Sequence, residues 1–335
     1  MSDRHPTPGA TNARSRSRRG AADPTGDRRG SGPRRDNRTV GSRFRLRAGA
    51  RPLPALAELL SGWADVEAAD RLGRPGRWPP PPEAPAAGSP LRGPASLLLY
   101  RRGVSTRPLE LGIADGDLVV HAPACTAPED LELAVALMAR AGELIGCAIQ
   151  LEEGDELSPE RLRRRCGRRW ARQHLHDQAE SLAALAVERG SVVVMGPVRP
   201  FHLGPRLLGQ LRDARVPGTF AERLVAAMRS AQWPPGDRYA AHVMHVRTPS
   251  GRHEFTAAVW GEGVGYVFPA VDYLVLASAG SGRRHLMIPP EVAPRIAADR
   301  CRYLDEVQLL VEAIAGPEWR ALWRRAEAHQ VPLPD

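Results

Sequence analysis

An imidazole and a carboxylate that meet across a hairpin are the smallest assembly able to work as a general base. The stretch Tyr239–Ile288 offers one. Two strand-like runs, Tyr239–Arg247 and Arg252–Trp260, flank Thr248-Pro-Ser-Gly251. A register symmetric about that turn sets His245 opposite Glu254. These two are the candidate catalytic residues, with Asp272 and His285 as further members of the same stretch. A hydrolase-like enzyme could use the pair, although a histidine facing a glutamate is also an ordinary cross-strand contact.

The second constellation is basic. Arg164, Arg165, Arg168 and Arg169 lie in the densest basic patch outside the N-terminal region, Arg161–Arg172. They could grip phosphates or other anions. The plainer reading is a solvated helix face that answers the acidic loop Glu152, Glu153, Asp155 and Glu156 just before it.

Other candidates are weaker. Asp115 and Asp117 could bind a metal, but Asp115-Gly116 between two apolar runs is a tight-turn signal. His174 and His176, two apart on a helix, point about 200° from each other and cannot share an ion. The cysteines, Cys125, Cys147, Cys166 and Cys301, form no CxxC pair and read as reduced, buried thiols. The chain contains no Lys, which excludes a Walker A lysine and Schiff-base chemistry. Gly261-Glu-Gly263-Val-Gly265 links two strands rather than opening a helix, and Ala279-Gly-Ser-Gly282 reads as a loop, not a nucleophile elbow. No HExxH is present. No cofactor and no metal are expected.

Positive charge is unevenly spread. All 47 basic residues are Arg, and the net charge is +9. Residues 1–50 hold thirteen Arg and four Asp, whereas the remaining 285 residues balance 34 Arg with 34 acids. The basic pI therefore describes the N-terminal region and is no argument that the folded part binds nucleic acid. Residues 1–50 are expected to be a disordered basic tail, poor in large apolar side chains. No apolar segment follows the early arginines, so no secretory signal is expected.

The elements that must position these groups follow from periodicity and punctuation. Residues 51–95 read as a Pro/Gly-rich linker with a short helix within Leu53–Trp63 and a proline run at Pro79–Pro82. Strands are expected at Leu97–Tyr100, Leu109–Ile113 and Leu118–His121. A helix capped by Thr126-Ala-Pro-Glu129 should run to about Ile145, with a strand returning at Cys147–Leu151. Ser158 caps the arginine-rich helix, on which Leu162, Cys166 and Trp170 point inward. Ser191–Met195 reads as a buried-type strand, and Thr219-Phe-Ala-Glu222 as a second capping box. Beyond the hairpin, strands are expected at Val264–Phe268, Val271–Leu276 and His285–Ile288. Helices are expected at Pro290–Ala298, Asp305–Ile314 and Pro317–His329.

The expected fold is α+β: two related αβ halves, roughly 96–190 and 191–335, with mostly antiparallel sheets covered by helices and the larger sheet in the second half. The function that fits best is a non-catalytic binding or interaction protein, with toxin neutralisation of the immunity type as one concrete form. The partner is then another protein. Nucleic acid, held through the basic tail and the Arg161–Arg172 helix, is the alternative. Composition points to a bacterial, cytoplasmic protein, and no apolar run reaches membrane-spanning length.

Overall fold

Alternation of arginine with large apolar residues decides where order begins. In β1 (Gly41–Leu46), Phe44 and Leu46 are fully buried while Arg43 points to solvent. Arg45 donates to Asp117 at 2.6 Å. The disordered tail expected over residues 1–50 is thus corrected for this segment: a period of two outweighs an arginine-rich composition. The computed structural model describes residues 41–49, 51–69, 96–152, 154–248, 251, 253–277 and 285–332. The proline run and the Ala279–Gly282 loop lie outside them.

The expected linker also carries structure. Its helix is the single turn α1 (Leu56–Leu59), and β2 (Val66–Ala69) pairs with β3 (Ser96–Arg101). β4 (Leu109–Ala114) and β5 (Asp117–Pro123) are joined through Asp115 and Gly116, both at positive φ, as the Asp-Gly signal requires. α2 (Pro128–Ile145) then covers the sheet, burying Leu131, Ala134, Val135 and Met138. Its start differs from the expected capping box: Ala127 is the cap, and the Thr126 hydroxyl donates to the Pro123 carbonyl at 2.6 Å. β6 (Ile149–Leu151) and β7 (Glu156–Leu157) complete a seven-stranded antiparallel sheet ordered β2-β3-β4-β5-β1-β6-β7. Arg101 on β3 grips Asp130 on α2, with Nε and Nη2 at 3.2 and 3.0 Å from one carboxylate oxygen and both residues buried.

The arginine-rich helix is two helices. α3 (Pro159–Arg165), capped by Ser158, ends at Cys166, and α4 (Arg168–Arg189) restarts after Gly167. Leu162 and Cys166 are nevertheless buried on the expected side. β8 (Val192–Met195) pairs only with β9 (Pro200–Leu203) among the described strands. The buried-type strand expected at Ser191–Met195 is instead a surface hairpin arm, with Val193 and Met195 exposed. α5 (Pro205–Leu211) follows, and α6 (Phe220–Gln232) opens with the expected reciprocal Thr219–Glu222 box.

In the C-terminal region, β10 (Tyr239–Ala240) and β11 (Met244–Arg247) replace the expected continuous strand and belong to different sheets. β11, β12 (Glu254–Gly261), β14 (Tyr273–Ala277) and β15 (His285–Ile288) form one sheet. β10, β13 (Tyr266–Phe268), β17 (Leu309–Val311) and β16 (Cys301–Tyr303) form the other. The β10–β13 and β12–β14 pairs are parallel; the other pairings are antiparallel. α7 (Ala293–Ala297) and α8 (Gly316–Glu327) pack on this region, where Trp260, Phe268 and Trp319 are buried together.

The helix expected at Asp305–Ile314 is a hairpin turn and a strand. Asp305, fully buried, accepts the Val307 and Gln308 N–H groups at 2.9 and 2.7 Å. Through its other oxygen it accepts the His202 N–H at 2.9 Å. The same residue pattern that caps a helix here closes a turn, because Leu309, Leu310 and Val311 are all buried and suit a doubly covered strand. The protein is α+β with mostly antiparallel sheets, as expected, but the larger sheet lies in the first half and not the second, where the strands beyond the β8–β9 pair divide between two four-stranded sheets.

Candidate functional site

The hairpin expected to hold the catalytic pair is offset by two residues from the symmetric register. His245 faces Thr256, and Glu254 faces Arg247 and bonds to it through Nε at 2.7 Å. His245 and Glu254 are both exposed and are not brought together. The pairing is fixed at the turn, where the Thr248 N–H donates to the His253 carbonyl at 3.0 Å and sets the first pair one residue further along the chain in each strand than the symmetric register places it. Asp272 is committed elsewhere: it accepts the Thr256 N–H at 2.7 Å and hydroxyl at 2.8 Å, bonds that hold it below the usual carboxylate range. His285 is exposed at the start of β15.

The basic patch is largely neutralised. Arg165 pairs with Asp155, Arg164 with Glu160 at 3.6 Å, and Arg168 with Glu132 at 3.3 Å. Neighbouring Arg163 chelates Glu143. Arg169 is exposed. Most of these guanidiniums therefore have carboxylate partners on the acidic loop, on α2 or on α3 itself.

Among the described residues, two places collect polar groups around a cavity. The larger, about 480 Å³, lies between the β2–β4 part of the first sheet and the β8–β9 turn. That turn, Met195-Gly-Pro-Val-Arg-Pro200, is pinned from behind by Gln232, which is almost fully buried. Its Oε1 accepts the Val198 and Arg199 N–H groups, each at 3.0 Å, and its amino group donates to the Arg199 carbonyl at 2.9 Å. A Cβ on Gly196 would stand 2.2 Å from that amide, so only glycine fits.

Arg107 reaches the turn from the β3–β4 connection, donating through Nε to the Met195 carbonyl at 3.1 Å and through Nη1 to the Ala124 carbonyl at 3.0 Å. Arg199 donates through Nη1 to the Ala231 carbonyl at 3.0 Å. Both guanidiniums line the cavity, and burial lowers both from their ordinary pKa. Among the described residues, neither has a carboxylate within ion-pairing distance. Met195 (60% exposed) and Val198 (51%) add apolar surface at the rim.

The smaller cavity, about 150 Å³, lies where β1 meets α4. Ser42 and His174 line it and are hydrogen-bonded through Oγ and Nε2. Trp170 stacks on the imidazole, with centroids 4.9 Å apart and planes at 12°. Gln178, one turn along α4, is 2.7 Å from the same Nε2 and accepts the Cys125 N–H at 2.9 Å. Cys125 holds an unusual positive φ of 62°, and burial pushes its thiol up to about 12, so it is no nucleophile. Cys166 and Cys301 are likewise buried, whereas Cys147 is only half-buried and lies 3.0 Å from an Arg51 nitrogen.

Sequence reasoning missed both places. Ser42 and His174 are 132 residues apart, and Arg107 and Arg199 are separated by five strands and three helices; no local spacing links them. One signal was available: Gly196 between apolar residues, with Pro197 and Pro200 beside it, marks a turn whose backbone is closely approached.

No curated protein and no solved structure matches the chain. Among the described residues, no helix is long and apolar enough to cross a membrane. A family pattern matches residues 85–276, which span nearly the whole of the larger cavity and α4 but not β1, and by that match the chain belongs to the family described as Domain of unknown function (DUF4299).

Proposed function

We propose that this is a binding protein whose larger cavity receives an acidic side chain, flanked by apolar residues, from a protein partner. The observation that carries the reading is the pair Arg107 and Arg199. Taking a guanidinium partly out of water costs several kcal/mol unless a countercharge compensates it. Here both donate to backbone carbonyls, and the carboxylates that act on them, Glu110 on Arg107 and Asp305 on Arg199, do so only from beyond ion-pairing distance. A ligand carboxylate would supply the missing partner, and Met195 and Val198 would cover an apolar flank. The cavity volume falls within the range of about 300–1,000 Å³ usual for ligand sites. Toxin neutralisation is the narrower form of this reading and requires a one-to-one complex.

The test uses acetylated peptides with Asp or Glu between Leu residues, titrated calorimetrically against the full-length protein. The acidic peptides should bind about tenfold more tightly than their Asn or Gln counterparts, the size expected of one charge-assisted hydrogen bond. Arg199→Gln should erase that difference. Val198→Asp, an exposed change that leaves the core untouched, should weaken the acidic peptides by repulsion. Equal binding of acid and amide peptides would end the proposal.

A further inference from the structure

β1 turns Ser42, Phe44 and Leu46 toward the covering helices and leaves the Ser42 hydroxyl at the wall of the smaller cavity, with the residue 8% exposed. What that hydroxyl can do depends on which nitrogen of His174 carries the proton, and Gln178 decides it. Its Oε1 accepts the Cys125 N–H, so the end facing His174 is the amino group. An amino group can only donate. His174 Nε2 must therefore present a lone pair, and the ring proton sits on Nδ1. The Ser42 hydroxyl, bonded to the same Nε2, is then the donor. A hydroxyl donating to an unprotonated imidazole nitrogen is the resting arrangement of a serine nucleophile and its general base. Trp170 fixes the ring plane by stacking.

We propose that Ser42 is a nucleophile activated by His174, and that it accepts a small acyl group from an activated ester. The cavity, about 150 Å³, limits the acyl group to a few heavy atoms. In the step, Ser42 Oγ attacks the carbonyl carbon while its proton passes to His174 Nε2. The tetrahedral adduct expels the alcohol oxygen, which takes the proton from Nε2. Water then attacks the Ser42 ester, with His174 again accepting and returning a proton, and releases the carboxylic acid. No oxidant or reductant is needed.

Two features set the rate. The Nε2 lone pair is shared between Ser42 and Gln178, which weakens the base. Among the described residues no carboxylate is hydrogen-bonded to Nδ1, the bond that stabilises imidazolium in a full triad. An activated ester acylates Ser42 even with a weak base, whereas water attack on the unactivated Ser42 ester depends on that base, so the acyl form should accumulate.

The experiment treats the full-length protein with p-nitrophenyl acetate and, separately, with a fluorophosphonate probe, followed by intact mass and peptide mapping. One group per chain on Ser42 is expected. Labelling should fall at least tenfold in Ser42→Ala and in His174→Asn, and the wild-type rate should drop as His174 is protonated in acid. Labelling elsewhere, or an equal rate in Ser42→Ala, overturns the proposal. Should those variants fail to fold, Ser42→Cys keeps the size and the hydrogen bond. Its introduced thiol should be carboxymethylated by iodoacetate at pH 6.5 at least tenfold faster than Cys147. An equal or slower rate overturns the proposal just as surely.

Discussion

His245 and His174 have the same side chain on regular secondary structure and nothing else in common. His245 lies on a hairpin whose partners are near in sequence; its strand's ion pair, Arg247–Glu254, spans seven residues and sits in solvent. His174 lies on a helix that meets a strand 132 residues earlier, stacked on one side chain and bonded to two others in a half-buried cleft. The hairpin shows that local spacing brings charges together where water screens them and their coupling is small. The β1–α4 contact shows that the groups able to do chemistry are gathered by packing between distant segments, where water is scarce and each bond counts for more.

Phe44 offers the hardest test of that contrast. It is fully buried, packs edge-on against Trp170 at 6.3 Å, and so supports the ring that supports His174. Phe44→Ala should cost about 3–5 kcal/mol in denaturant unfolding. A loss below about 1 kcal/mol would mean that β1 is not part of the core, and the β1–α4 site would fall with it.

The pH dependence of stability sharpens the comparison next. Burial holds the His174 pKa below 6.5, with Asp177 pulling weakly the other way. The unfolded chain therefore takes up a proton first as pH falls, and stability is fully present above about 6.5 and lost as pH drops toward the folded value. The difference in unfolding free energy between wild type and His174→Asn should change with pH between about 7 and 5. Asp130, pushed up to about 6 by burial against the pull of Arg101, acts in the opposite sense over part of that window, but it cancels in the difference. A flat difference would place the imidazole in water.

The smallest effect belongs to the hairpin. Glu254→Ala should change stability by less than about 1 kcal/mol, and that little should vanish at 1 M salt. A larger, salt-resistant loss would show that the Arg247–Glu254 pair is better shielded than its exposure implies.

Legibility in the sequence followed the range of the interaction. The Asp115-Gly116 turn, the Thr219–Glu222 box and the buried stripe of α2 are contacts within a few residues, and each is where its residues place it. The Asp305 pattern failed because a carboxylate that can cap a helix can equally close a hairpin, and only the burial of Leu309–Val311 chooses between them. β1 was hidden by its composition: its two arginines masked its two large apolar residues until partners appeared on both sides, β5 and β6. The offset hairpin register turned on the bond from the Thr248 N–H to the His253 carbonyl, which no spacing in the sequence announces.

By itself the sequence determined the class of fold, most strands and helices, the uneven charge, and the impossibility of lysine chemistry. These depend on periodicity, turn residues and counts, which survive without knowledge of neighbours. The tertiary structure decided which arginines lack a countercharge, which histidine nitrogen carries a lone pair, and which serine faces it. Those depend on distances between segments far apart in the chain, up to 132 residues for Ser42 and His174, and on the water excluded between them, and no local pattern encodes either.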